Sequence, residues 1–65
     1  MREIYKIYEY NETDLGKIQE GIFVIPEVAG DLETAEKFIK QNKGDYIVVR
    51  ESRVGDKIKI QIWRE

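Results

Sequence analysis

The sequence contains no cysteine and no histidine, and it has a single serine and a single proline. Without cysteine the chain cannot form a disulfide-stapled scaffold or supply thiolates for zinc, iron–sulfur or nucleophilic chemistry. Without histidine, any general base or nucleophile would have to be a carboxylate, a lysine, a tyrosine or an unactivated hydroxyl. These absences predict a protein that is not an enzyme and that holds no metal and no cofactor.

The sequence also lacks a long hydrophobic run. Its longest fully apolar stretch is residues 22–25, which is far below the length of a membrane span. The first residues, MREIYKIYEY, interleave charged and apolar side chains and therefore lack the apolar core of a signal peptide. We expect a soluble, cytoplasmic protein that does not bind membranes.

The chain has 65 residues, no internal repeat or low-complexity segment, and a net charge of −2. We expect one domain over residues 1–65, at the lower end of what folds alone. Domains of this size usually gain stability from disulfides, a metal or a partner subunit, and only the partner subunit is open to this chain. The negative net charge argues against nucleic-acid binding, sequence-specific binding included.

Four segments have the alternation or the β-branched and aromatic composition of strands. They are residues 3–10, 17–26, 45–52 and 57–65. The stretches NETDLG at 11–16 and RVGD at 53–56 are expected to be hairpin turns. In the second strand, Gly21 is expected to mark a bulge and Pro26 to end the strand.

Between the two pairs of strands the pattern changes to a helical period. The apolar residues on one face of this predicted helix, over 32–43, are Leu32, Ala35, Phe38 and Ile39. Asp31 can accept hydrogen bonds from its first turn, and Gly44 can end it in a left-handed conformation. The order of elements predicts an α+β fold: a two-layer ββαββ domain with a four-stranded mixed sheet, made of two antiparallel hairpins, and one helix packed on one face.

The faces of the predicted sheet follow from keeping charged side chains out of the core. The residues expected beneath the helix are Tyr5, Ile7, Ile47, Val49, Ile58, Ile60 and Ile62. The residues expected on the opposite, open face are Ile4, Lys6, Tyr8, Tyr10, Tyr46, Val48, Arg50, Lys59 and Trp63. In the second strand, two alternate pairs from residues 22–25 compete for burial, and either choice exposes a large apolar pair.

One short helix can cover only one side of such a sheet, because roughly twelve residues make a helix about 18 Å long with one narrow apolar stripe. The uncovered side is expected to form a contiguous apolar patch, which usually marks an interface in soluble proteins. We therefore expect a homodimer built through the open face or through an edge strand.

The acidic residues at 12–14 and 27–33 are candidate catalytic carboxylates, but they fall in a predicted turn and at a predicted helix start, where acids are structurally favoured. A calcium-loop interpretation of residues 11–22 fails because Leu15 occupies a ligand position and Ile22 stands in place of the bidentate glutamate. Both groups are therefore interpreted as structural.

The aromatic and basic residues of the expected open face are of the types that bind planar or anionic groups. Rings stack on nucleobases while Arg or Lys binds phosphate, and the same rings are enriched at protein interfaces. The candidate binding residues are Tyr8, Tyr10, Tyr46, Arg50, Arg53, Lys59 and Trp63.

Two functional hypotheses follow from this constellation. The leading one is a non-enzymatic interaction protein, a homodimer that binds another macromolecule, in the first place a protein, through the aromatic and basic sheet face. The alternative is a ligand-sequestering protein whose dimer encloses an anionic, nucleotide-like small molecule. Small inhibitors encoded by phages or mobile elements are often chains of this size without catalytic residues, and by that analogy either hypothesis suits such an origin.

Overall fold

The computed structural model of the chain describes residues 3–52 and 58–63. Along the described chain the elements are β1 (Glu3–Glu9), α1 (Glu12–Gln19), β2 (Val28–Gly30), α2 (Leu32–Gln41), β3 (Tyr46–Ser52) and β4 (Ile58–Trp63). The strands form one four-stranded sheet in the order β2-β1-β3-β4. The predicted α+β class and four-stranded sheet are confirmed, and the structure adds a second helix.

The helix that was not predicted, α1, occupies much of the stretch that was expected to be a turn. Its N-cap is Asn11, whose side-chain oxygen accepts hydrogen bonds from the amides of Thr13 at 2.8 Å and Asp14 at 3.3 Å. An asparagine in this position satisfies amides that have no partner inside the helix, and acids such as Glu12 suit the positive helix start. The turn-forming composition of NETDLG therefore belongs to a helix cap and a first turn.

The end of α1 overturns the strand predicted over residues 17–26. Gly21 has φ 80°, its amide bonds to the Ile18 carbonyl at 3.1 Å, and the amide of Ile22 bonds to the Lys17 carbonyl at 2.8 Å. These two bonds form the Schellman motif, which ends a helix on a left-handed residue. Gly21 is therefore a helix stop instead of a bulge, and the second strand starts only at Val28.

Two glycine substitutions test the assignment of α1. Gly16 lies inside the helix, where a methyl group would meet no atom within 4 Å, so Gly16→Ala should raise the free energy of unfolding by about 0.5–1 kcal/mol. Gly21→Ala should lower it by about 1–2 kcal/mol, because φ 80° is unfavourable for a residue with a Cβ. Urea denaturation measures both, and a stabilising Gly21→Ala would contradict the left-handed helix end.

The sheet is antiparallel throughout, where a mixed sheet was predicted. β1 pairs with β2 on one side and with β3 on the other, and β3 pairs with β4, each antiparallel. β2 and β3 do run in the same direction, as expected, but β1 lies between them, so they form no parallel pair. The β3–β4 hairpin is confirmed, while its predicted turn at 53–56 lies outside the described residues.

The helix α2 was predicted correctly at its start and nearly so at its end. The Asp31 side chain accepts a hydrogen bond from the amide of Thr34 at 2.9 Å, and this bond lowers the pKa of Asp31. The last helical residue is Gln41, and the amide of Asn42 still bonds to the Phe38 carbonyl. Asn42 is the C-cap and is already extended, so the helix ends three residues before Gly44. Gly44 has φ 152° but is not the helix stop that was predicted.

Both sides of the sheet carry core packing, which corrects the expectation of an open face. On the side that we call the α2 face, Ile7, Ala35 and Tyr46 form a buried cluster, against which Phe38 and Val28 pack. On the opposite side, the α1 face, a second buried cluster packs against residues of α1 and of the segment after it. The members and neighbours of this second cluster are Tyr8, Ile47, Val49, Leu15, Ile18, Val24 and Ile60.

The prediction assigned β3 and β4 to the wrong side. Opposite residues in an antiparallel pair point to the same face, and the register places Ile7 opposite Val48 and Tyr8 opposite Ile47. The isoleucines of β3 and β4, together with Val49, therefore lie on the α1 face and not beneath α2. The prediction failed because it kept Lys6 out of any core-facing side. In the structure Lys6 is partly buried on the α1 face, opposite Val49, and forms an ion pair with Glu51.

Candidate functional site

The predicted binding residues do not lie on one face of the sheet. Tyr8 and Tyr10 pack in the cluster of the α1 face. On the α2 face, Tyr46 is opposite Trp63 and Arg50 is opposite Lys59; these are the other predicted binding residues within the described chain. Arg53 lies outside the described residues. The sequence therefore identified residues from two surfaces separated by the thickness of the sheet.

Two of the predicted stacking rings are part of the core. Tyr8 and Tyr46 are both buried, and the ring of Tyr46 meets that of Phe38 edge to face, with 5.4 Å between centroids and 71° between planes. Burial also raises the pKa of the Tyr8 hydroxyl, mainly because the charged form would lose water. Such rings stabilise the fold, and only a small part of each is accessible to a ligand.

Two of the basic side chains lie beside carboxylates. The Lys6 Nζ atom is 3.2 Å from Oε1 of Glu51. The Arg50 Nε atom is 3.6 Å from Oε2 of Glu3, and the same oxygen accepts a hydrogen bond from the Tyr5 hydroxyl at 3.1 Å. The positive charge expected in the middle of the face is therefore largely balanced, which weakens its attraction for an anion.

Part of the α2 face is nevertheless uncovered. α2 packs mainly on β2 and β1, and its Phe38 also contacts Tyr46 at the start of β3. The part of this face around Arg50 and β4 lies beyond the helix. Trp63, Lys59 and Arg50 are exposed there. This strip is the portion of the predicted aromatic and basic surface that the structure brings together.

A different, apolar surface lies on the α1 face. Ile22, Phe23 and Ile58 border a shallow hollow of about 180 Å³ whose lining includes Tyr8 and Val49. Each of these three bordering residues is more than half exposed, and Phe23 reaches 79%. Ile62 belongs to the same side because it is opposite Ile47. We call Ile22, Phe23, Ile58 and Ile62 the α1-face apolar surface.

The origin of this surface is the segment that follows α1. After the helix ends at Gly21, residues 22–27 carry no regular structure, and only Val24 of its four apolar residues packs against the buried cluster. Sequence reasoning did indicate that residues 22–25 would expose a large apolar pair. It could not locate that pair beside β4, because the segment was assigned to a strand.

The position of β4 adds an open backbone edge to the α1-face apolar surface. β4 is the last strand of the sheet, and within residues 3–52 and 58–63 its outer edge pairs with no strand. Every residue of β4 except Ile60 is exposed. The amides and carbonyls that alternate along this outer edge are available to another strand.

A second hollow lies at the end of the sheet where β1 finishes and β3 starts. It measures about 510 Å³ and is lined by Glu9, Tyr10, Glu27, Phe38, Asn42, Lys43, Gly44, Asp45 and Tyr46. Its lining is mainly polar and acidic. In the described part of the chain, no group of three or more acidic side chains is arranged to hold a metal ion.

Comparisons of the chain with protein-family models, curated proteins and solved structures found no match. Among the described residues, neither helix has the length and apolar character needed to cross a bilayer.

Proposed function

We propose that this chain is a non-enzymatic protein-interaction module that binds through the α1-face apolar surface and the adjoining edge of β4. The observation that carries the proposal is the exposure of Ile22, Phe23 and Ile58 around a single hollow. Scattered apolar residues on a protein surface are ordinary, but large ones grouped around a concave site are typical of binding surfaces.

The shape of the hollow suits an inserted side chain. Its floor contains buried residues, Tyr8 and Val49, while the rim residue Phe23 extends into solvent. Aromatic and aliphatic side chains that fill such pockets supply most of the binding energy at protein interfaces. A partner that offers one apolar side chain to the hollow would cover the rim residues as well.

The charges around the hollow favour an apolar partner over a strongly charged one. The charged residues that line it are Lys6 and Glu51, and they form an ion pair with each other. The surface therefore presents little net charge, and recognition would depend on apolar area and on backbone hydrogen bonds along β4.

The alternative of an enclosed anionic ligand has less support. It required rings and cations on one face, whereas Tyr8 and Tyr46 are buried on opposite faces. Lys6 and Arg50 lie beside carboxylates. The β3–β4 strip of the α2 face retains one exposed ring, Trp63, for such a ligand.

A site-specific photo-cross-linker tests the proposed surface. We expect p-benzoylphenylalanine in place of Phe23 to cross-link to a protein when the variant is expressed in cells and irradiated, because this side chain stands on the rim of the hollow. The change preserves an aromatic ring at a position that is almost fully exposed, so the fold should be unaffected. Adducts are measured by gel shift and mass spectrometry.

The matched control carries the same cross-linker at Leu32, which is as exposed as Ile22 but lies on α2. Position 32 should give at most background cross-linking. Equal yields at positions 23 and 32, or no adduct at position 23, would count against a binding surface on the α1 face. An adduct at position 23 supports the proposal whether the cross-linked protein is a second copy of the chain or a different protein.

A further inference from the structure

We infer that a second copy of this chain occupies the β4 edge: the two β4 strands pair antiparallel about a two-fold axis through Ile60 and join the two sheets into one. This inference rests on the proposed function, because it names the partner of the same surface. It specifies in addition the edge, the direction and the register of the contact.

β4 has few of the devices by which proteins usually protect a sheet edge. Its sequence, IKIQIW, contains no proline and a single charged residue, Lys59, and its register with β3 runs without a bulge from Ile58 to Trp63. Edges are normally blunted by charges, prolines, bulges or short length. The other edge strand, β2, has only three residues, so β4 is the edge suited to a long pairing.

The register follows from matching the strand to itself. In a two-fold antiparallel pair, opposite residues point to the same face, so the axis must pass through a residue and not between two. An axis through Ile60 places Ile58 opposite the partner's Ile62 and Lys59 opposite the partner's Gln61. Each exposed isoleucine of β4 is then covered by an exposed isoleucine of the other copy.

The neighbouring registers are poorer. An axis through Lys59 places the two lysines directly opposite each other, which is destabilising in a sheet. An axis through Gln61 leaves Ile58, which is 59% exposed, beyond the partner's described strand. Of these three registers, the one centred on Ile60 is the one in which every isoleucine of β4 is opposite an isoleucine and the lysines are kept apart.

The contact also continues the α1-face apolar surface. Ile58 borders the hollow together with Ile22 and Phe23, and a strand added to β4 places the partner's Ile62 beside Ile58 on the same side of the sheet. Two copies therefore bury their isoleucine rows against each other next to the hollow. Self-pairing of this kind is an isologous contact, which closes a dimer and leaves neither β4 edge free for a third copy.

Single-cysteine variants test the register, and the chain is suited to them because it has no cysteine of its own. Both Lys59 and Gln61 are exposed, so Lys59→Cys and Gln61→Cys should fold normally. In the proposed register, position 59 is opposite position 61, within reach of a disulfide. Two copies of position 61 are diagonal neighbours about 7–8 Å apart. An equimolar mixture should therefore oxidise to the mixed dimer at least about tenfold faster than either variant alone forms its own dimer.

Light scattering gives the second measurement. At a concentration on the order of 100 µM, the unmodified chain should have twice the 7.7 kDa mass of one copy. Ile62→Lys should weaken dimerisation at least about tenfold, because the lysine faces an isoleucine of the other copy. Leu32→Lys, which makes the same change on α2, should leave dimerisation unaltered, and circular dichroism checks that both variants fold.

Three results would overturn the inference: a 7.7 kDa monomer at that concentration, faster cross-linking of Gln61→Cys with itself than with Lys59→Cys, or full dimerisation of Ile62→Lys. The proposed function is contradicted by a different result. If position 23 cross-links to a different protein while the chain stays monomeric, the binding surface stands and the self-pairing is wrong. If position 23 cross-links to nothing, the surface itself is wrong.

Discussion

Replacing Ile47 with alanine should lower the free energy of unfolding by about 2–5 kcal/mol. Ile47 is 0% exposed and belongs to the cluster between the sheet and α1, so the truncation removes buried methyl groups and leaves a cavity. A single core of this size supplies no more than about 3–5 kcal/mol. The variant should therefore be largely unfolded at 25 °C even without urea. Urea titrations followed by circular dichroism measure this loss.

The matched control for this prediction is Ile62→Ala. Ile62 is directly opposite Ile47 on the same face, but it is 40% exposed, so its truncation should cost well under half as much in the monomer. Both variants should be measured at low protein concentration, because a dimer through β4 would add its own stability. An Ile47→Ala variant as stable as Ile62→Ala would mean that α1 does not cover the sheet.

Truncation of Ile7 to alanine should have an effect of the same size, about 2–5 kcal/mol, from the other side of the sheet. Ile7 is also 0% exposed, and it packs with Ala35 and Tyr46 beneath α2. Loss of native structure is measured by the same titration and by the dispersion of amide proton resonances.

Its control is Ile25→Ala, an identical truncation at a position that is 80% exposed. We expect a change within about 0.5 kcal/mol there, as for most surface substitutions. A small effect of Ile7→Ala combined with a large effect of Ile47→Ala would show that only the α1 side is a true core. Large effects at both buried positions would show that the sheet is packed on its two faces.

A core divided between two faces bears on the proposed dimer. A short chain that spreads its apolar residues over both sides of a sheet forms two thin clusters instead of one thick cluster. The large apolar residues that neither cluster buries include Phe23 and Ile58, which are neighbours on the α1 face. An interface at this position would bury apolar area that the monomer leaves in water, and would stabilise the fold at the concentrations where the dimer forms.

The first helix shows how a correct local signal can be misassigned. Asn11 as cap, Glu12 and Asp14 in the first turn, and Gly21 as stop are all visible in the sequence. The apolar stretch of residues 22–25, which follows the stop directly, gave the whole region the composition of a strand. Cap chemistry at Asn11 and Gly21 was the more specific signal, because both residues satisfy defined backbone groups.

The candidate site was predicted less well than the fold. The strand alternation correctly separated Lys6 and Tyr8 from Ile7, and it correctly grouped Ile47 with Ile62, as their direct pairing shows. It wrongly joined Tyr8 to Tyr46 and Trp63, which lie on the opposite face. The sequence predicted that residues 22–25 would expose a large apolar pair, but it did not predict where on the fold the surface around Phe23 would lie.

The amino-acid sequence by itself determined the helix α2, the strands β1, β3 and β4, and which residues share a face within each strand. These features depend on the period of neighbouring side chains and on caps such as Asp31, and both are local. The tertiary structure alone decided that β1 lies between β2 and β3, that Ile47 faces α1, and that β4 is an edge. Alternation has a period of two residues, so a shift of one residue between paired strands exchanges the two faces, and only the long-range pairing of β1 with β3 selects between them.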